Sequence, residues 1–99
     1  MNKKLEPVHP GDVLNEDFLK PLAISQNQIA RDLKVPPRRI NEIVLRKRRV
    51  TADTALRLAQ YFRTSPQFWM NLQSSYDLDM ERDEIGARIT KEVHAFAGA

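Results

Sequence analysis

Cysteine is absent from this 99-residue chain. Its absence excludes disulfides and thiolate metal sites and fits a reducing compartment, so a cytoplasmic location is expected. The chain has no run of about 18 apolar residues to span a bilayer. Its opening, MNKKLEPVHPGDVL, has lysines but not the apolar stretch of a secretory signal. Glycine occurs three times and histidine twice, a poor kit for catalysis. Neither a Gly-rich phosphate loop, an HExxH pair, a nucleophile elbow nor a carboxylate pair in an apolar setting is present. His9 and His94 stand at opposite ends, with no partner at metal-ligand or triad spacing. No enzymatic role, metal or cofactor is therefore expected. Internal repeats, low-complexity linkers and strand-like alternation are missing as well, which leaves an all-α domain.

Charge is present and unevenly placed. Residues 1–50 carry eleven Lys/Arg against six Asp/Glu, whereas residues 51–99 carry five against seven. Between Arg31 and Arg49 eight basic residues stand against two acidic ones, Asp32 and Glu42. A positive field so concentrated favours a polyanionic partner, although a merely solvated basic face has the same composition.

That basic stretch coincides with a turn motif. In SQNQIARDLKVPPRRINEIV, Ser25 is placed to N-cap a helix, with Gln28 three residues on to complete a capping box. Ile29, Ala30 and Leu33 form its apolar face. Lys34 and Val35 make a turn, and Pro36-Pro37 mark the start of a second helix, where a missing N–H costs nothing. Ile40, Ile43 and Val44 point inward from that helix, leaving Arg38, Asn41, Glu42 and Leu45 outside, with Arg39 flanking. Such a pair suits a helix-turn-helix that lays its second helix in the DNA major groove. Arginine bonds guanine in bidentate fashion, asparagine can read adenine, and glutamate can accept from cytosine or simply orient an arginine through a local salt bridge. Arg38, Arg39, Asn41 and Glu42 are accordingly the candidate base readers. Gln26 and Asn27, at a helix N-terminus, together with Arg46, Lys47, Arg48 and Arg49, are candidate phosphate contacts.

The remaining signals are helical. His9-Pro10-Gly11-Asp12 opens a first helix with Val13, Leu14, Phe18 and Leu19 inward, ended by Pro21. Thr51 caps a helix over Ala52 to Phe62, with Ala55, Leu56, Leu58, Ala59 and Phe62 inward. Ser65-Pro66 starts a helix holding Phe68, Trp69, Leu72 and Tyr76, whose aromatics read as core rather than as a stacking platform. After Asp77 the acidic DLDMERDE gives way to Ile85, Ile89, Val93 and Phe96. This pattern predicts a sixth helix that packs on its own domain, on a second copy or on another protein. The expected organisation is a flexible lead-in over 1–8, a helix-turn-helix domain over 9–78, and a C-terminal helix or tail over 79–99.

The segments HPGDVL (9–14), SQNQIARDLKVPPRRINEIV (25–44), TADTALRLAQYF (51–62) and SPQFWMNLQSSYDL (65–78) resemble the HigA, or VapI-like, antitoxins of the lambda-repressor-like (XRE) class. The resemblance implies a five-helix DNA-binding domain and a homodimer bound to a palindromic operator. It further implies repression of the protein's own toxin–antitoxin promoter and neutralisation of a HigB-type mRNA endonuclease toxin. By the same resemblance Gln26 falls on a phosphate position, and Pro37, Arg38 and Glu42 fall on the groove-facing turns. The chain departs from the family where a glycine often follows the recognition helix. Here the run is Val44-Leu45-Arg46-Lys47, so a residue with a Cβ must close the helix, with strain if that position is left-handed. Two alternatives remain open from sequence: a stand-alone XRE-type regulator, and a toxin-binding module with weak DNA binding.

Overall fold

The computed structural model describes residues 6–98, so residues 1–5 of the expected lead-in lie outside the described part. Helix α1 (Pro10–Val13) runs into a π-helical segment (Leu14–Leu19), and α2 (Gln26–Leu33), α3 (Pro37–Val44), α4 (Ala52–Phe62) and α5 (Pro66–Glu92) follow. Among the described residues there is no strand.

Capping chemistry explains most boundaries. The His9 Nδ1 accepts from the Gly11 N–H at 2.9 Å, while the His9 N–H donates to Asp12 Oδ2 at 3.1 Å. Ser25 Oγ accepts from the Gln28 N–H at 3.0 Å and Ser65 Oγ from the Phe68 N–H at 3.1 Å. Thr51 occupies the N-cap of α4 as expected, but its side chain makes no capping bond. The π-helical segment carries bonds one residue longer than an α-helix, such as the Lys20 N–H to the Asn15 carbonyl at 3.0 Å.

The core joins Leu14, Leu19, Ile29, Leu33, Ile40, Ile43, Leu58 and Trp69, all buried. Trp69 is fully buried and packs with Phe18, centroids 5.1 Å apart, which bears out its assignment to the core. Its indole N–H donates to Thr64 Oγ1 at 2.9 Å, so burial leaves no unpaired donor. Leu56 departs from expectation. It is 59% exposed, while Thr54 is buried instead, because α4 turns its 54/55/58/59 face to the core.

The expected sixth helix is not separate. Helix α5 runs unbroken for 27 residues, because no cap or proline interrupts residues 77–85. At about 1.5 Å per residue such a helix is about 40 Å long, and its second half projects from the body. The radius of gyration, 16.8 Å, accordingly exceeds the roughly 13 Å of a compact chain of this size. Of the apolar stripe, Ile89, Val93 and Phe96 are exposed and Ile85 is partly buried.

Candidate nucleic-acid interface

Helix α3 presents the outer face expected of it. Ile40 and Ile43 are buried, while Arg38 and Pro37 are exposed and Arg39, Asn41 and Glu42 lie at the edge. Arg38 Nε donates to Glu42 Oε2 at 2.9 Å, one helical turn away, and Arg48 Nε approaches Glu42 Oε1 at 3.4 Å. The hydrogen bond from Arg38, aided by the nearby Arg48 and Lys47 charges, holds the Glu42 carboxyl below the usual carboxylate range.

Two candidates from different helices meet. The Asn41 Nδ2 donates to Gln26 Oε1, linking the outer face of α3 to the N-terminus of α2. Asn27 is exposed beside that bond. Arg39 leans the other way: its Nη1 donates to Asp53 Oδ1 on α4 at 2.7 Å. The same oxygen accepts from Arg57 Nε at 2.8 Å, and Arg57 Nη1 donates to the Leu33 carbonyl at 2.9 Å. Arg57 thus satisfies a carbonyl at the end of α2 that no helical N–H reaches. Hydrogen bonds from Arg57 and then Arg39 hold Asp53 below its ordinary pKa.

The basic run after α3 is also tied down. Arg46 sits in the left-handed region, φ 63°, at the position where the family often has glycine. Its guanidinium is engaged by both Asp12 oxygens, Nε to Oδ1 at 3.0 Å and Nη2 to Oδ2 at 2.7 Å. Arg46 therefore fastens the end of α3 to α1. Arg49 Nη1 donates to Asp77 Oδ2 at 2.9 Å on α5, and Asp77 Oδ1 accepts from Gln73 Nε2 at 2.9 Å. Gln73 is buried, and its Oε1 accepts from the Val50 N–H at 2.7 Å. Lys47 is exposed, and no carboxylate among the described residues forms an ion pair with it.

Pattern reasoning missed Asp12, Asp53, Gln73, Arg57 and Asp77 as parts of this surface. Asp12 stood out in sequence only as an acid in a first helical turn, a place that Asp53 also holds in α4. Apart from the His9–Asp12 cap and the i,i+4 pairs Asp53–Arg57 and Gln73–Asp77, the contacts of these five residues span 14 to 34 positions along the chain, beyond any helical period. A shallow cleft of about 240 Å³ lies between α3 and α4, lined by Arg39, Arg48, Arg49, Thr51 and Thr54. Its three arginines are paired with carboxylates, Arg39 with Asp53, Arg48 with Glu42 and Arg49 with Asp77. Among the described residues no group of His, Asp and Glu is arranged to hold a metal, and no helix is long and apolar enough to cross a membrane.

Comparison with known proteins agrees with this geometry. A family model described as helix-turn-helix matches residues 16–69. Virulence-associated protein I of Dichelobacter nodosus is 47% identical over 87% of this chain and 81% of its own length. The solved structure of the Pseudomonas aeruginosa antitoxin HigA with the higBA promoter superposes with a TM-score of 0.88 at 44% identity, covering 91% of this chain and 98% of that one. An addiction module antidote protein of the HigA family from Coxiella burnetii gives a TM-score of 0.89 at 43% identity, over 93% and 100% of the two chains. Helix order, an exposed arginine-bearing second motif helix and these likenesses agree, and the chain belongs to the helix-turn-helix family, in its HigA group of antitoxins.

Proposed function

We propose that this protein is a DNA-binding antitoxin that represses the promoter of its own toxin–antitoxin pair and neutralises a HigB-type mRNA endonuclease. The observation that carries the reading is the exposed face of α3, Arg38 and Glu42 with Arg39 and Asn41 beside them, on a fold shared with a HigA solved together with promoter DNA. Pro37, Arg38, Arg39, Asn41 and Glu42 are assigned to the bases, and Gln26, Asn27, Lys47, Arg48 and Arg49 to phosphates. Pro37 has no side-chain donor, so readout falls on the others. Arg46 is given a fastening role in view of its Asp12 clamp. The reading assigns no catalysis to the chain and goes with a cytoplasmic location.

A homodimer accords with the reading, with α3 helices about 34–36 Å apart and an inverted-repeat operator. The domain proper is assigned to residues 9–78 and the partner surface to 79–99, where Ile89, Val93 and Phe96 are exposed. Those apolar side chains also favour a second role in protein binding, since DNA has no use for them.

Fluorescence anisotropy at about 150 mM salt tests the reading, using the upstream DNA and a scrambled duplex. Preference for the upstream fragment by about 10³-fold or more supports a specific repressor. Equal micromolar binding to both leaves only an electrostatic surface. Arg38→Ala should weaken operator binding more than scrambled binding, and equal losses would reduce Arg38 to a phosphate contact.

A further inference from the structure

All five arginines between Arg38 and Arg49 lie against carboxylates: Arg38 and Arg48 at Glu42, Arg39 at Asp53, Arg46 at Asp12 and Arg49 at Asp77. A surface evolved only to attract phosphate gains nothing from this. Each carboxylate cancels a charge that would release a counterion from DNA. Three of the pairs sit at the cleft between α3 and α4, Arg48 with Glu42 among them. Arg39 and Arg49 line it, and each is drawn by an acid from a neighbouring helix, Asp53 of α4 and Asp77 of α5. Both acids are held in place by a second hydrogen bond, Asp53 from Arg57 and Asp77 from Gln73. Each acid therefore accepts from two donors, one of them a cleft arginine.

From this arrangement we propose that Asp53 and Asp77 are specificity-determining residues that keep Arg39 and Arg49 from the phosphates of an arbitrary duplex, Arg39 being released to a base and Arg49 to a phosphate only on the operator. This rests on the assignment of α3 and the basic run to DNA. An arbitrary duplex presents its phosphates out of register and gains little by displacing a well-placed carboxylate. A duplex seated by base contacts brings a base edge to Arg39 and a phosphate to Arg49 in register, and the exchange becomes favourable. The acids lower affinity for every duplex but lower it most for the wrong one, which is discrimination by an internal repulsive element.

The test uses Asp53→Asn and Asp77→Asn in the full chain. Each keeps the shape and a carbonyl oxygen for its second donor while removing the charge. Anisotropy against a scrambled duplex at about 150 mM salt should show each variant binding about fivefold tighter, the gain expected from one further phosphate contact. The log–log salt slope should steepen by about 0.9. Operator affinity should rise less, so that the operator-to-scramble ratio falls. Adding Arg49→Ala to Asp77→Asn should cancel the gain, and Asp77→Glu should restore wild-type behaviour. Unchanged or weaker binding to the scrambled duplex in both variants overturns the proposal. A packing defect gives only weaker binding, with a lower melting temperature, and cannot imitate the gain. If the wild type shows no operator preference, the functional reading fails and this proposal with it, whereas a wild-type preference that both variants leave intact overturns this proposal alone.

Discussion

His9 is buried, caps α1 through its Nδ1 and meets the edge of Tyr76 at 4.8 Å between centroids. Burial, the largest influence, pushes its pKa down. Arg46 acts in the same direction, and Asp12 and Asp77 oppose it. The unfolded chain, with a histidine near its ordinary value of about 6.5, therefore takes up the proton first. The resulting stability is complete above that value and is lost as pH falls through it toward the folded pKa. Melting temperature should decline between pH 7 and pH 5, and His9→Asn, which retains a capping acceptor without titrating, should flatten that decline. Identical slopes for both proteins would show that another group titrates. The capping role of His9 was legible from His-Pro-Gly-Asp alone. Its burial was not, because that depends on Tyr76, 67 positions away. Arg46 gives the reverse case: the missing glycine flagged a left-handed residue, and φ is 63° there.

Among the elements, the contact between α1 and α3 is set by Gly11. A Cβ on that residue would stand 1.9 Å from the Ile43 carbonyl oxygen, which is backbone and has nowhere to go. Gly11→Ala should cost about 1–3 kcal/mol or more by forcing the helices apart, read as a lower midpoint in urea. An unchanged midpoint would mean the contact is not tight in solution. The strain is steric, since no glycine among the described residues has a positive φ. Helix α5 explains why its SPQFWMNLQSSYDL stretch is so particular. Ser65 caps it, Trp69 fills the core, Gln73 holds Val50, Tyr76 meets His9 and Asp77 takes Arg49. One helix therefore braces the basic run, α1 and the core together. Residues from Gln73 to Asp77 read as an ordinary amphipathic face until their distant partners are known.

For the whole molecule, the outstanding feature is the second half of α5, in which no side chain is fully buried. The last fully buried side chain among the described residues is Gln73, and beyond Leu78 burial is only partial, as at Ile85. A chain lacking residues 79–99 should melt within a few degrees of the full chain. If that segment joins two copies, the shortened chain should sediment as a monomer and bind a two-half-site operator no better than a single half-site. A shortened chain that remains a dimer would move the interface elsewhere. Retained neutralisation of a co-expressed toxin would remove this segment from toxin binding as well.

The sequence alone determined the helical class, the starts of the helices and the identity of the recognition helix. These depend on local chemistry: proline and serine at helix starts, and apolar residues at helical spacing. It also marked the basic run, since charge density is a property of composition. Only the tertiary structure decided that those arginines are paired, that Leu56 faces out and that α5 continues into solvent. Each of these depends on which distant element lies alongside, and spacing along one helix carries no information about its neighbours.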